Sequence, residues 1–206
     1  MDAIYRDKSL GEIPWHLEEP PARLLELVNS GSVPVGDAVD LGCGAGTAAV
    51  WLATQGYTVT GLDLSPQATR LATKRAEKKG VACRFQARDL TTPVEGLEGA
   101  FDFAYDWEVL HHVFPADRQV YVQNVHRMLR SGGQYYSVCF SEEDSLGIGG
   151  QEKYRETALG TVLYFSSEHE LRELFSAHFQ VETLQTIPVA GKFTPHLAVE
   201  VLMTKK

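Results

Sequence analysis

Asp40-Leu-Gly42-Cys43-Gly44-Ala-Gly46-Thr47 lies between a short apolar run and the apolar stretch Thr47-Ala-Ala-Val-Trp-Leu-Ala-Thr54. Three glycines thus crowd the one turn at which a strand hands over to a helix. Glycine is needed there because the chain bends through torsion angles closed to other residues, and because a Cβ would hold the backbone away from a ligand. A dinucleotide turn of the G-x-G-x-x-G kind would put its third glycine at position 47, whereas here it is Gly46 and Thr47 follows. The spacing points to a nucleotide cofactor other than a dinucleotide.

Further strand ends repeat the signal. Tyr57-Thr-Val-Thr-Gly-Leu-Asp63 reads as a strand closing on a carboxylate, and Leu64-Ser65-Pro66 opens a helix with Ser65 as N-cap and Pro66 at its first position. Asp63 follows the glycines by roughly 20 residues, the offset at which a carboxylate accepts both ribose hydroxyls. Val81 to Asp89 is a third strand, ending in Asp89-Leu90, and Ala100 to Asp106 a fourth, ending in Asp106-Trp107. Ligands of open parallel sheets bind outside the carboxyl ends of the strands, where all four signals fall.

The turn resembles motif I of class I S-adenosylmethionine methyltransferases, in which an acidic residue precedes GxGxG. The resemblance implies that Asp40, Gly42, Cys43, Gly44 and Gly46 border the methionine part of S-adenosylmethionine. It implies further that Asp63 and Leu64 hold the ribose, that Asp89 meets the adenine amino group with Leu90 against the ring, and that Asp106 and Trp107 face the methyl-transfer site. The run Asp106-Trp-Glu-Val-Leu-His-His-Val, Arg130-Ser-Gly-Gly and Cys139-Phe-Ser look like small enzymes of the thiopurine and tellurite-resistance type. That likeness implies a small-molecule acceptor, a thiol or other chalcogen nucleophile. An oxygen or nitrogen acceptor on a metabolite, and a non-catalytic S-adenosylmethionine-binding protein, stand as alternatives.

The remaining pattern predicts an α/β fold: a Rossmann-like, seven-stranded, mostly parallel sheet with helices on both faces and a C-terminal antiparallel hairpin. A leading helix spans Glu19 to Asn29, and further helices span Thr47 to Gln55, Pro66 to Lys79 and Ala116 to Leu129, the last stopped by Arg130-Ser-Gly132-Gly133. Strand five is Gln134 to Phe140. A helix begins within Ser166-Ser-Glu-His-Glu, and Phe179 to Thr186 with His196 to Thr204 form the hairpin. The 206 residues are expected as one domain: an arm and leading helix over 1–30, a cofactor-binding core over 36–140, and a substrate-side connection, last helix and hairpin over 141–206.

Net charge of −8, with no helix carrying a concentrated basic face, disfavours nucleic acid as substrate. The N-terminus lacks a basic-then-apolar leader and the apolar runs are strand-length, so a cytoplasmic protein without membrane or metal partners is expected; oligomeric state is not legible. Cys43, Cys83 and Cys139 are isolated, without a C-x-x-C pair.

Methyl transfer from a sulfonium is an in-line displacement, to which a protein contributes alignment and exclusion of water. His111 and His112 follow strand four and are the candidate bases, with packing as the competing role. Tyr5, Arg6, Trp15 and His16 make an aromatic arm without a helix or strand of its own, which either caps the cofactor cleft, with Trp15 against the cofactor, or packs elsewhere on the sheet. The glycine-rich connection Glu142 to Leu159 is the other candidate cover.

Overall fold

The computed structural model describes residues 1–148 and 150–206; Gly149, within the Glu142 to Leu159 connection, lies outside the described residues. Two short N-terminal elements, helix α1 (Asp2–Asp7) and a 3-10 turn (Leu10–Glu12), precede α2 (Ala22–Asn29). The core then alternates β1 (Asp37–Leu41), α3 (Thr47–Thr54), β2 (Thr58–Asp63), α4 (Pro66–Lys79), β3 (Cys83–Ala87), β4 (Phe101–Trp107), α5 (Pro115–Met128) and β5 (Leu129–Phe140). A small hairpin of β6 (Tyr154–Glu156) and β7 (Val162–Tyr164), helix α6 (Glu168–Ser176) and the strands β8 (Phe179–Val189) and β9 (His196–Lys205) complete the chain.

The main sheet has seven strands in the order β3-β2-β1-β4-β5-β9-β8, parallel through β5 and antiparallel at β9 and β8. Strand order reverses beside β1, whose neighbours are β2 and β4, so the crevice for a ligand opens at the carboxyl end of β1. Apolar side chains of both sheet faces are covered. Leu24, Ala49 and Leu52 pack with Val59, Phe103 and Tyr105 on one face, and Tyr121, Val125, Leu171 and Phe175 pack with Val39, Leu41 and Tyr135 on the other.

The punctuation residues act as read. Ser65 Oγ accepts from the Ala68 N–H at 3.1 Å with Pro66 in the first turn of α4, and Gly80 closes that helix at φ +72°. Ser167 and Glu170 form a reciprocal capping box on α6.

Several expectations are corrected. The arm is not without a helix of its own: Tyr5 and Ile13 pack on Ala68 of α4, while Asp2 Oδ1 accepts from Ser65 Oγ (2.6 Å) and the Gln67 N–H (3.0 Å) at the start of α4. Strand three stops at Ala87, which leaves Asp89 in the loop beyond it. No loop separates α5 from β5; extended backbone begins at Leu129, and a bulge against β4 between Phe101 and Phe103 absorbs the residues read as a stop. The connection after β5 holds a hairpin of its own, with Arg155 buried over the Phe165 ring at 3.8 Å and donating to the Asp144, Ile148 and Glu142 carbonyls. Among the described residues no helix is long and apolar enough to cross a membrane.

Candidate active site

The β1–α3 turn uses glycine for two distinct reasons. Gly44 has φ +52° and borders the cleft, where a Cβ would lie 2.8 Å from the Tyr5 hydroxyl. Gly46, the N-cap of α3 at φ +80°, faces away from the cleft: a Cβ there would meet Ala72 Cβ at 2.8 Å. Gly46 therefore permits α3 and α4 to pack closely and is absent from the cleft wall, a correction to its expected place.

Around this turn lies a cleft of about 230 Å³. Its walls include Asp40, Gly42, Cys43, Gly44, Asp63, Leu64, Asp89, Leu90 and Trp107 from the core, with Tyr5 and Trp15 from the arm. The arm thus forms part of the cleft wall. It is held there by Trp15 Nε1 donating to Tyr5 Oη (2.9 Å), by Thr47 Oγ1 donating to the Leu17 carbonyl (2.8 Å), and by Lys192 Nζ donating to the Leu10 and Ile13 carbonyls (3.1 and 2.9 Å).

Two carboxyls dominate the floor. Asp63 Oδ2 accepts from the Gly44 N–H and Oδ1 from the Ser65 N–H, both at 2.8 Å, so the residue at the end of β2 also fixes the glycine turn. Burial raises its pKa while those two N–H donors oppose the rise. Asp40 is 3% exposed, and its Oδ2 has no hydrogen-bond partner. Burial pushes Asp40 up to about 8, against the Ala49 N–H at the start of α3, and the nearby charges of Asp63 and Asp106 add to the rise. A buried carboxyl with one oxygen unpaired, in the wall of a glycine-lined cleft, suits a cationic ligand.

Asp106 is the main correction among the expected site residues. It is fully buried and absent from the cleft wall, because strand alternation turns it to the α5 face. There it accepts from the hydroxyls of Tyr121 (3.1 Å), Ser137 (3.1 Å) and Tyr135. Its neighbours Tyr105 and Trp107 take the cleft side.

Beside the first cleft lies a larger, mainly apolar cavity of about 730 Å³, walled by Phe140, Ile148, Leu159, Leu163, Val189 and Phe193 among others. The two spaces share Trp15, Leu17, Pro21, Trp107, Glu108 and His112. His111 belongs to the second cavity alone, 3% exposed, its ring stacked on Phe140 at 4.4 Å and its Nδ1 buried without a partner. Burial holds His111 well below the usual imidazole range and takes His112 down to about 4, so both rings are neutral near pH 7.

Two residues the sequence reading passed over meet at the junction. His196 Nε2 lies 2.7 Å from Glu108 Oε1, joining β9 to the end of β4 across 88 residues of chain. Glu108 has φ +60°, the one non-glycine positive φ among the described residues, a conformation that costs about 1 kcal/mol or more and re-aims the side chain just past the strand. Glu108 stood within the quoted Asp106-Trp-Glu run; nothing in sequence linked it to His196.

A methyltransferase-domain family matches residues 38–133. The chain is 30% identical over 174 residues to the 2-heptyl-1-hydroxyquinolin-4(1H)-one methyltransferase of Mycobacteroides abscessus, covering 83% of this chain and 70% of that protein. It is also 30% identical over 141 residues to a probable thiol methyltransferase of Arabidopsis thaliana, covering 66% of this chain and 61% of that one. Among solved structures, one described for conversion of a disulfide bond into a thioacetal group during echinomycin biosynthesis aligns with TM-score 0.84 and 26% identity, over 100% of this chain and 90% of that one. The Burkholderia thailandensis 1,6-didemethyltoxoflavin-N1-methyltransferase, with its substrate and S-adenosylhomocysteine bound, aligns at 0.76 and 25% over 99% and 84%.

The chain belongs to the class I S-adenosylmethionine-dependent methyltransferases. It is a methyltransferase of small molecules, and S-adenosylmethionine is its cofactor.

Proposed function

We propose that this enzyme methylates a drug-sized, largely apolar metabolite seated in the larger cavity, with the cofactor in the smaller one. The observation that carries this reading is the shared wall of Trp15, Trp107, Glu108 and His112, across which the two spaces meet. A cavity of about 730 Å³ is far larger than a hydroselenide or a small thiol needs. The relatives named above are a methyltransferase of a hydroxyquinolinone, a probable thiol methyltransferase and an N1-methyltransferase of 1,6-didemethyltoxoflavin, and ubiquinone-biosynthesis O-methyltransferases are also similar, so sulfur, nitrogen and oxygen acceptors are all named among similar proteins.

Bound S-adenosylmethionine supplies a methyl group activated on sulfur. In this reading Asp40 and the Gly42-Cys43-Gly44 turn hold the methionine end, Asp63 and Leu64 the ribose, and Asp89 with Leu90 the adenine. Trp15 and Tyr5 close the cleft and exclude water from the nucleophile. The side chains of His111 and Asp106 shape the site from behind. The place of action is the cytoplasm, and the net charge of −8 argues against nucleic acid as acceptor.

Assaying transfer of labelled methyl to hydroxyquinolinones, phenols, aromatic nitrogen heterocycles and arylthiols, beside an RNA and a DNA control, tests the reading. Transfer to at least one apolar ring acceptor and to neither nucleic acid is expected. Tight cofactor binding without transfer to any acceptor would instead favour a non-catalytic binding protein.

Asp40 gives this reading a pH signature. In the free protein it is protonated below about 8, and its contribution to stability, complete below the unfolded value near 4, is lost as pH rises through about 8. A cationic ligand favours the carboxylate, so binding expels the proton. S-adenosylmethionine affinity should then climb by up to about tenfold per pH unit from pH 6 toward 8, with proton release visible in calorimetry across buffers of different ionisation enthalpy. Asp40→Asn should flatten the slope; a slope equal in both proteins removes Asp40 from the methionine end.

A further inference from the structure

We propose that Glu108 is the proton acceptor of the methyl transfer, held in position by His196, and that it selects acceptors arriving protonated, an O–H or N–H on an apolar ring system, over pre-ionised thiolates or hydroselenide. This rests on the small-molecule reading above and deepens it by naming the nucleophile class.

Glu108 is the one acidic side chain among the described residues that borders both spaces, which places it where the acceptor must meet the methyl group. Its Oε1 is taken by His196, while Oε2 has no hydrogen bond from the described residues and is not among the buried unpaired atoms, so it is open to the junction. The positive φ aims it there at a cost in backbone strain, while the Glu108 N–H keeps its bond to the Val138 carbonyl at 2.7 Å.

The ring of His196 is placed to hold this carboxylate and does not itself reach the acceptor through a nitrogen. Nε2 faces Glu108 Oε1 at 2.7 Å and Nδ1 faces the Thr194 carbonyl at 3.4 Å, so both ring nitrogens look at acceptors. The form that donates to both is the imidazolium. Burial lowers the ring's pKa, but the hydrogen bond and charge of Glu108, with the Thr194 carbonyl and the Asp144 charge, together outweigh it and raise the value. The other groups around the pair are His111 and His112 from the 3-10 turn before α5, the buried Asp144 after β5, and Lys192 from the β8–β9 loop. His111 and His112 are weaker candidates for the proton, since burial favours their neutral forms.

The step balances without any further reactant. As the lone pair of the acceptor atom forms its bond to the methyl carbon, the methyl–sulfur bond breaks toward sulfur, and the acceptor's proton passes to Glu108 Oε2. An anionic nucleophile would have no proton to give and would face a carboxylate, so the arrangement works against it.

Two matched acceptors test this on the whole chain, 2-naphthol, which arrives protonated, and 2-naphthalenethiol, which is largely ionised at mildly alkaline pH, together with the hydroxyquinolinones of the panel. Glu108→Gln should cut turnover of the O–H and N–H acceptors by about 100-fold or more while changing that of the thiol by only a few-fold and leaving the Michaelis constant for S-adenosylmethionine in place. His196→Gln, whose amide still donates to Glu108, should retain most of the turnover that His196→Ala loses, whereas a purely structural histidine would show equal losses in both. Independently of turnover, the imidazole NMR titration of His196 should fall when Glu108 is replaced by Gln. Unchanged turnover in Glu108→Gln, equal loss for every acceptor, or an unmoved His196 titration each overturns the proposal. A wild-type enzyme that methylates thiols but no O–H or N–H acceptor also overturns it while leaving the small-molecule reading intact. One that binds cofactor and methylates nothing fails that reading and this inference with it.

Discussion

Asp106→Ala is expected to lower stability by about 3 to 9 kcal/mol, because it strips the partner from three buried hydroxyls at roughly 1 to 3 kcal/mol for each one left unsatisfied. Tyr121, Tyr135 and Ser137 all donate to this carboxylate, and the first two also sit in the packed interior between the sheet and α5. Asp106→Asn keeps one acceptor oxygen and should cost less than half as much. Burial raises Asp106 to about 6 despite the three hydroxyl donors. Its contribution is therefore complete below about 4 and lost as pH rises through about 6, so the deficit of the Asn variant should be smaller at pH 7 than at pH 4. Urea denaturation of the three proteins reads these differences. A stable Asp106→Ala protein that no longer binds cofactor would return Asp106 to the site that the family resemblance implied.

Asp63→Ala should damage binding and folding together. Its carboxylate holds the Gly44 and Ser65 N–H groups, so the substitution frees two backbone donors and, on the proposed assignment, removes the ribose partner at once. Charge-assisted bonds of this kind are worth about 1.5 to 3 kcal/mol each, which predicts a stability loss of about 3 to 6 kcal/mol and at least a 100-fold weaker grip on S-adenosylhomocysteine. Calorimetric titration well below the lowered melting temperature separates the two effects. Affinity unchanged in the folded variant would mean that the ribose lies elsewhere. Gly44→Val is the companion measurement: its branched side chain would stand at φ +52° beside Tyr5, and it should abolish binding with the sheet intact.

What could be read in the chain followed from local chemistry. Glycine at 42, 44 and 46, a carboxylate at the end of β2, Ser65-Pro66 and Gly80 around α4, and alternating apolar runs each report a conformation that neighbouring residues enforce. Because a β-α-β unit has one dominant hand, that local order was enough to give the sheet its parallel core. The antiparallel end followed from a connection too short for a crossover. The arm was ambiguous for the opposite reason: its six-residue helix is stabilised by contacts of Tyr5 with Ala68 and of Asp2 with Ser65, about 60 residues away in sequence.

The family and its cofactor were determined by the sequence alone, since a turn that must approach a ligand leaves its glycines and carboxylates at fixed spacing. The tertiary structure decided which strand-end side chains line the cleft. Asp106 and Trp107 are adjacent letters, yet the pleat sends one to a buried tyrosine network and the other to the cleft. Likewise Gly46 serves the packing of two helices, and Glu108 meets His196 only because β9 folds back beside β5. Side-chain direction and long-range pairing depend on the closed sheet, and no spacing within a single segment encodes them.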